Sequence, residues 1–161
     1  LPLRIAGIMR EVWPDHLPCM VRVSSVDGVG IGWQIEDSVA YATELKKLGI
    51  DMIDCSSGGF KLPAENSLVA RTTGFQLPFS EQIRKESGLP TMGVGLIRTG
   101  EQAAIALQDG RADLVALGRE LLWNPNWPMQ IATEHDEANG WKLMPPQYGW
   151  WLRRRKAQQG K

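Results

Sequence analysis

Apolar residues along this chain follow two alternating spacings, which predict the order of its helices and strands. Four short runs are continuously apolar and rich in β-formers, as the strands of a parallel sheet are: PCMVRVSS, IDMIDCSSGG, PTMGVGLI and ADLVALG. Before and between these runs, apolar residues recur at helical spacing in LRIAGIMREVW, IEDSVAYATELKKLG, FSEQIRKESG and TGEQAAIALQDG. Glycine or proline follows or closes each of these four segments. The predicted order is therefore α-βα-βα-βα-β, with a long loop over roughly residues 57–75.

The pattern is less regular after the fourth predicted strand. It predicts a short helix over residues 119–123, a second helix after Pro128, and irregular sequence rich in proline and tryptophan beyond it. The tryptophans of this part are Trp123, Trp127, Trp141, Trp150 and Trp151. So much aromatic surface near one end is typical of a contact with a core, a subunit or a ligand.

The alternation of helices and buried strands predicts an α/β fold with a parallel sheet. Four βα units suit either a small doubly wound sheet or half of a (β/α)8 barrel. No G-x-G-x-x-G turn with a suitably placed acidic residue occurs, so the sequence gives little support to dinucleotide binding of the Rossmann type. A complete barrel needs about 250 residues. A chain of 161 residues is well short of that, so if it is a barrel sequence, it is the second half of one.

Composition and charge narrow the classes of function. The net charge is zero and the charges are interspersed, so no basic patch points to nucleic acid. No apolar run is long enough for a membrane span, and the N-terminus lacks the layout of a signal peptide. We expect a soluble, cytoplasmic protein. Cys19 and Cys55 lie in strand-like runs and are expected to be buried thiols. His16 and His135, predicted to be solvated, are too few for a histidine metal cluster or a hydrolase triad.

The ligand site of a parallel α/β fold lies at the C-terminal ends of its strands. Three of the four predicted ends carry small residues, and the last two ends, GVGLIRTG and LGREL, both contain glycine and lead into helices. Glycine lets an anion approach the backbone N–H groups at a helix start, and Arg119 adds a fork of donors that suits phosphate oxygens. Glycines at strand ends are often only turn residues. Two adjacent loops of this kind, one with Arg119, favour a phosphate site.

Arg22 lies between Val21 and Val23 inside a predicted strand, so its guanidinium needs an electron-rich partner. One interpretation is an ion pair with Asp54 or Asp27. The other is a cation beside a ligand that carries or develops negative charge. The spacing alone leaves both open. Asp51 and Asp54, three residues apart in a strand, should point to opposite faces and so form no acid–base pair. The charged helix SEQIRKES is predicted to be a solvated face.

Several blocks together resemble the C-terminal half of the Old Yellow Enzyme family. They are MVRVSSVDG, GIDMIDCSSGG, GVGLIRTGEQAAIALQDGRADLVALGRELLWNPNWP and PPQYGWWLRR, and they cover nearly the whole chain. The closer likeness is to the bacterial xenobiotic-reductase, or thermophilic-like, class. The resemblance implies an FMN-containing (β/α)8 barrel that takes hydride from NADPH or NADH. It further implies that hydride passes to activated alkenes such as enones and maleimides.

The same resemblance implies a role for individual residues. Arg22 matches the catalytic arginine beside the N1/O2 edge of the flavin, and Gly95 and the Gly118–Arg119 pair match the site of the FMN phosphate. Trp127 matches an active-site tryptophan. Trp150 or Trp151 falls where a C-terminal residue, arginine in some relatives, reaches the active site of a neighbouring subunit. These three tryptophans form the expected substrate pocket, whereas Trp123 is assigned to packing.

The motifs that the family carries in its first half are absent from this chain, which looks like a start on the fourth barrel helix. We therefore expect a half-barrel on the FMN-phosphate side over residues 1–140 and a tail over residues 141–161 that contacts another subunit. The expected partners are a complementary N-terminal half-barrel chain, further copies of the assembled barrel and a small enone-type substrate. The main alternative is a stand-alone, non-catalytic half-barrel that binds phosphate-bearing ligands. Another phosphate-binding barrel enzyme is a third, weaker option.

Overall fold

A computed structural model describes residues 1–28, 32–57, 69, 71–136 and 138–159 of the chain. The strands are β1 (Met20–Ser24), β2 (Met52–Ser56), β3 (Thr91–Gly93) and β4 (Leu114–Val115). The helices are α1 (Pro2–Val12), α2 (Ile35–Lys47), α3 (Leu77–Ser87), α4 (Gly100–Gln108), α5 (Arg119–Trp123), α6 (Trp127–His135) and α7 (Pro146–Gln159), with a 3-10 turn at Gly140–Leu143. None of the helices in these ranges is both long and apolar enough to cross a lipid bilayer.

The chain divides into two compact units, Leu1–Leu117 and Gly118–Lys161. The first unit holds all four strands and α1 to α4, and the second holds α5 to α7. The sequence predicted a different boundary, after residue 140, between a half-barrel on the FMN-phosphate side and a tail that contacts another subunit. That assignment of roles stays a prediction.

The four strands form one parallel sheet in the order β1-β2-β3-β4. Each strand pairs with the next strand along the chain, as the pairings Arg22 with Asp54 and Asp54 with Met92 illustrate. A doubly wound sheet reverses its strand order at a switch point, whereas barrel strands follow one another in sequence. The sequential order confirms the α/β prediction and is that of part of a (β/α)8 barrel.

One face of the sheet packs against the helices and forms the main core. Ile53 and Cys55 of β2 are fully buried there, together with Leu45 of α2 and Ile83 of α3. Leu89, just before β3, completes the same cluster. Side chains from two helices and the middle strand therefore fix the sheet from one side.

The opposite face, here called the open face, carries the alternate residues Met20, Arg22, Ser24, Met52, Asp54, Ser56, Met92 and Leu114. Met20 is 49% exposed and Leu114 is 46% exposed. The prediction of buried strands is therefore wrong for the open-face side chains Met20 of β1 and Leu114 of β4 within this chain. Large apolar side chains on a strand edge and face are the kind of surface that a further element covers in a complete barrel.

Capping residues place the ends of the helices where the sequence predicted them. Thr99 precedes α4 and its hydroxyl accepts a hydrogen bond from the backbone N–H of Gln102, while the Gln102 side chain accepts one from the N–H of Thr99. Gly49 and Gly110 follow α2 and α4 with positive φ angles of 81° and 68°, which glycine adopts without strain.

Two predictions about helices are wrong. The charged helix α3 is not simply a solvated face, because Arg84 binds the Asp113 carboxylate at 3.0 Å and Glu81 binds Arg111 at 3.3 Å. These pairs hold α3 against the segment before β4. Hydrogen bonds from Lys85 and Arg111, together with their positive charges, lower the pKa of the Glu81 carboxyl. The expected irregular tail instead contains α7. Pro146 is compatible with this helix because it stands in the first turn, where proline costs no hydrogen bond.

Both cysteines are free thiols, and burial of Cys55 predicts a pH dependence of stability. Burial, with a smaller contribution from the neighbouring Asp54 carboxylate, raises the pKa of the Cys55 thiol from 9.0 to about 12. Above the unfolded pKa, the unfolded chain loses this proton while the folded chain keeps it. The free energy of unfolding should therefore fall with rising pH, by up to about 1.4 kcal/mol per pH unit.

Urea unfolding across the alkaline range tests this, with Cys55→Ala as the comparison. The variant lacks the thiol, so its free energy of unfolding should fall less steeply with pH than that of the parent chain. Equal slopes for the two proteins would show that ionisation of Cys55 is not coupled to unfolding.

Candidate functional site

Arg22 presents its guanidinium on the open face, near the C-terminal end of β1. Its Nη1 donates to Asp54 Oδ2 at 2.7 Å and its Nη2 donates to Ser56 Oγ at 3.1 Å. The parallel register makes these contacts natural, since Arg22 stands opposite Asp54, and Ser56, two positions further along β2, points to the same face. Of the two carboxylates expected as partners, Asp54 forms the ion pair, while Asp27 accepts a hydrogen bond from the backbone N–H of Trp33.

The ion pair leaves much of the guanidinium available to a ligand. The Arg22 side chain is 58% exposed, whereas that of Asp54 is only 16% exposed. Asp54 Oδ1 is buried and has no hydrogen-bond partner among the described residues. The site therefore offers a fixed, exposed cation for a negatively charged group. Such a cation fits the polar edge of a flavin, which carries carbonyl oxygens.

Asp51 and Asp54 serve different parts of the fold, as their spacing predicted. Asp51 Oδ2 accepts hydrogen bonds from the backbone N–H of Cys19 at 2.7 Å and from Arg10 Nη1 at 3.4 Å. Asp54 binds Arg22 on the open face. The two carboxylates hold separate arginines and do not form an acid–base pair.

The turn after β3 has an unusual backbone. Gly95 has a φ of +137° and Leu96 a φ of +53°, so two successive residues lie in the region that side chains disfavour. A Cβ at Gly95 would stand 3.1 Å from the backbone nitrogen of Gln76 and 3.3 Å from the Phe75 ring. The Gly95 carbonyl also accepts a hydrogen bond from the N–H of Gly74 at 2.6 Å. Close packing against residues 74–76 therefore requires glycine at position 95, whatever ligand binds there.

Gln76 is a site residue that the sequence did not single out. It is only 4% exposed, and its Nε2 donates to both the carbonyl and the hydroxyl of Ser57 at 2.9 Å. Gln76 thus connects the end of β2 with the turn after β3. It lies at the end of a long predicted loop with no periodic pattern, so nothing local marks it. The next residue after Ser57, Gly58, lies outside the described residues.

Gly118 and Arg119 begin the second unit. Gly118 precedes α5, and a Cβ built on it would meet no atom within 4 Å. Arg119 is exposed at the first position of the short helix α5. Arg22 and Gly95 belong to the first unit. The joint binding of one phosphate by Gly95, Gly118 and Arg119 therefore stays a prediction.

The tryptophans of the second unit differ in their surroundings. Trp127 begins α6 and is half-buried. Trp150 and Trp151 meet edge to face with ring centroids 4.5 Å apart, and the Arg154 guanidinium lies 3.8 Å above the Trp150 ring. Trp123 was expected to pack but is 86% exposed, so this prediction is wrong within this chain. The helix α5 that carries it has no buried residue to anchor it.

Both histidines are exposed, as predicted. His16 lies in the loop after α1, and His135 ends α6.

Comparison with known proteins identifies the family. Residues 6–138 match the NADH:flavin oxidoreductase / NADH oxidase family. An NADPH dehydrogenase of Geobacillus thermodenitrificans is 47% identical over 130 residues, which are 81% of this chain and 36% of the relative. An NADPH dehydrogenase of Halalkalibacterium halodurans is 42% identical over 81% of this chain and 37% of the relative. One from Listeria monocytogenes is 40% identical over 83% of this chain and 38% of the relative.

The matched region thus spans little more than a third of the length of these curated relatives. The family is one of flavin oxidoreductases, which confirms the flavin cofactor that the resemblance implied. The family match covers most of the chain. The sequential parallel sheet and the arginine on its open face agree with this match. The chain belongs to the NADH:flavin oxidoreductase / NADH oxidase family.

Proposed function

We propose that this chain is the C-terminal part of an FMN-dependent NAD(P)H:alkene oxidoreductase, with the N-terminal half-barrel supplied by another chain. One observation carries the proposal: Arg22 is held by Asp54 and Ser56 and still exposes more than half of its side chain. A cation fixed in this way can stabilise negative charge without rearranging at the moment of reaction. In a family of flavin oxidoreductases, that is the role expected beside the flavin ring.

In this proposal, one residue of the chain contacts the FMN ring and three others bind the FMN phosphate. Bound FMN would supply the centre that accepts hydride from NADPH or NADH and delivers it to an activated C=C bond. Arg22 would hold the polar edge of the ring. Gly95 and Gly118 would let the phosphate approach the backbone, and Arg119 would add charge-assisted hydrogen bonds to its oxygens.

The exposed apolar surface of the first unit supports a protein partner. Besides the open face, α1 exposes Ile5, Ile8, Met9 and Val12 on one side. Methionine, isoleucine and valine side chains in this number are costly to leave in water, and the edge of β1 is the place where further barrel strands would pair. Assembly of the completed barrel into a homo-oligomer, with Trp127, Trp150 and Trp151 forming the pocket for an enone-type substrate, belongs to the same proposal. So does a reducing, cytoplasmic location, which suits the free thiols.

The activity of the assembled protein tests the substrate class. NADPH oxidation should require both chains and should rise on addition of cyclohexenone, an activated alkene. Oxidation that proceeds equally without the alkene, with molecular oxygen as acceptor, would refute the ene-reductase assignment while leaving a flavin oxidoreductase.

Arg119→Ala tests the phosphate site. Loss of the guanidinium removes charge-assisted hydrogen bonds to the phosphate, so FMN should bind the assembled protein about tenfold to one hundredfold more weakly. Titration of FMN fluorescence measures this affinity without reference to turnover. Arg119→Lys keeps the charge and should show an intermediate loss, and Arg153→Ala, a matched change at an exposed arginine of α7, should show none. Unchanged affinity in Arg119→Ala would remove this residue from the phosphate site.

A further inference from the structure

The second unit contains an open cavity of about 540 Å³ between α6, the 3-10 turn and α7. Its wall is mainly apolar, and all of its lining residues belong to this unit. The residues that matter for what it could bind are Met129, Trp141, Met144, Trp151, Leu152 and Arg155. This volume and this mixture of aromatic, aliphatic and a few polar groups are typical of small-molecule sites.

Two glycines bring the walls of the cavity together. A Cβ at Gly140 would stand 2.5 Å from the Ala132 carbonyl oxygen, and a Cβ at Gly149 would stand 2.8 Å from the Trp141 carbonyl oxygen. The 3-10 turn therefore packs backbone to backbone against α6, and α7 packs equally closely against the turn. Trp141, between the two glycines, is fixed by both contacts.

Two polar side chains of the wall, Thr133 and Gln130, are already paired within the unit. The Thr133 hydroxyl donates to the carbonyls of Met129 and Gln130 at 3.0 and 2.9 Å. The Gln130 amide donates to Glu134 and accepts from Asn124, both at 2.8 Å. These groups have little capacity left for a ligand.

Two further groups of the wall, both donors, lack partners among the described residues. The Nε1–H of Trp141 is buried and has no hydrogen-bond partner in the described part of the chain. Arg155 forms no ion pair with any residue that the structure describes. A buried donor without an acceptor is costly, and a ligand that supplies the acceptor removes this cost. The missing ligand group is therefore an acceptor, and beside a guanidinium it is best an anionic one.

The charge of the surrounding sequence favours an anion as well. Residues 138–161 contain no aspartate or glutamate, and their basic residues are Lys142, Arg153, Arg154, Arg155, Lys156 and Lys161. This end of the chain is therefore basic, although the net charge of the whole chain is zero. Among the described residues, no carboxylate lines the cavity itself.

From these observations we propose that the cavity binds a small aromatic carboxylate, with its ring against Trp151 and Met144 and its carboxylate on Arg155 and the Trp141 N–H. The ring packs against the flat apolar wall, and the two unpaired donors donate hydrogen bonds to the carboxylate oxygens. The site shares Trp151 with the proposed enone pocket, but its test uses neither FMN nor a partner chain and so does not depend on the proposed function.

Calorimetric titration of the 161-residue chain with 2-naphthoate tests the proposal, with the neutral, nearly isosteric 2-naphthamide as the matched ligand. We expect saturable binding of 2-naphthoate, about tenfold tighter than that of the amide. Arg155→Gln should weaken naphthoate binding about tenfold, while Arg153→Gln, the same change at an exposed arginine outside the cavity, should leave it within about twofold. Trp141→Phe keeps the ring and removes the N–H, and should weaken binding about threefold to tenfold.

Circular dichroism of each variant distinguishes loss of binding from loss of folding, and Arg155→Lys should restore part of the affinity. The proposal fails if 2-naphthoate shows no saturable binding, if the amide binds as tightly, or if Arg155→Gln and Arg153→Gln bind alike. It also fails if Arg155→Gln converts a dimer to a monomer in sedimentation while naphthoate does not bind, because a second copy of the chain would then be the occupant.

Discussion

Arg22→Met should lower the rate of alkene-dependent NADPH oxidation by the assembled enzyme about 100-fold to 1,000-fold. That is the usual cost of removing one fixed electrostatic group from a reaction centre. Methionine keeps most of the length of the arginine side chain but cannot carry its charge. Steady-state kinetics with cyclohexenone measure the loss, and FMN titration measures how much of it comes from weaker cofactor binding.

The Arg22–Asp54 ion pair provides the control. If Arg22 served only to neutralise Asp54, replacing both partners would repair the damage, so the double variant Arg22→Met/Asp54→Asn would recover its activity. We expect the double variant to recover thermal stability relative to Arg22→Met, because it no longer leaves a partly buried carboxylate unpaired, and to remain at least about 100-fold slower than the parent. Recovery of the rate in the double variant would reduce Arg22 to a structural ion pair.

Gly95→Ala should destabilise the chain by about 2–3 kcal/mol, through its backbone and not through the cofactor. The φ of +137° at position 95 is unfavourable for alanine. The alanine Cβ would also lie 3.1 Å from the backbone nitrogen of Gln76, which, unlike a flexible side chain, cannot move away without shifting the backbone. Urea unfolding of the chain in the absence of FMN measures the effect.

Gly118→Ala is the matched change at the other predicted phosphate glycine. A Cβ there has open space around it, so the free energy of unfolding should change by less than about 0.5 kcal/mol. If Gly118 also approaches the phosphate, the same variant should bind FMN more weakly in the assembled protein. Equal loss of stability in the two variants would contradict the close packing described for Gly95.

The local pattern of the chain predicted most of the first unit, because its signals are local. Thr99 and Gly110 mark the ends of α4 through their own hydrogen bonds and backbone angles, and both predictions are confirmed. The long-range pairs were harder to predict. The spacing around Arg22 could not choose between Asp54 and Asp27, because the choice depends on the strand register, which only the sheet defines.

Gln76 and Gly95 show the same limit of local signals at the site. Glycine after β3 was interpreted as room for a phosphate, yet its nearest neighbours are Phe75 and Gln76, from a segment with no periodic pattern. In the second unit, the proline-rich and tryptophan-rich composition predicts irregular sequence, yet Pro146 starts α7. Proline is disfavoured inside a helix but is accepted at its start. Whether a proline marks a loop or the start of a helix therefore depends on how the residues after it pack.

Visible absorption of purified protein tests the central claim most directly. The chain would be copurified with the N-terminal part of the Geobacillus thermodenitrificans relative, the region outside its match to this chain. If this chain is the cofactor-binding C-terminal part of a flavin oxidoreductase, the complex should retain FMN and show its visible bands, and the chain purified alone should not. A stable complex without flavin would contradict the claim, and equal FMN binding by the chain alone would support a stand-alone half-barrel instead.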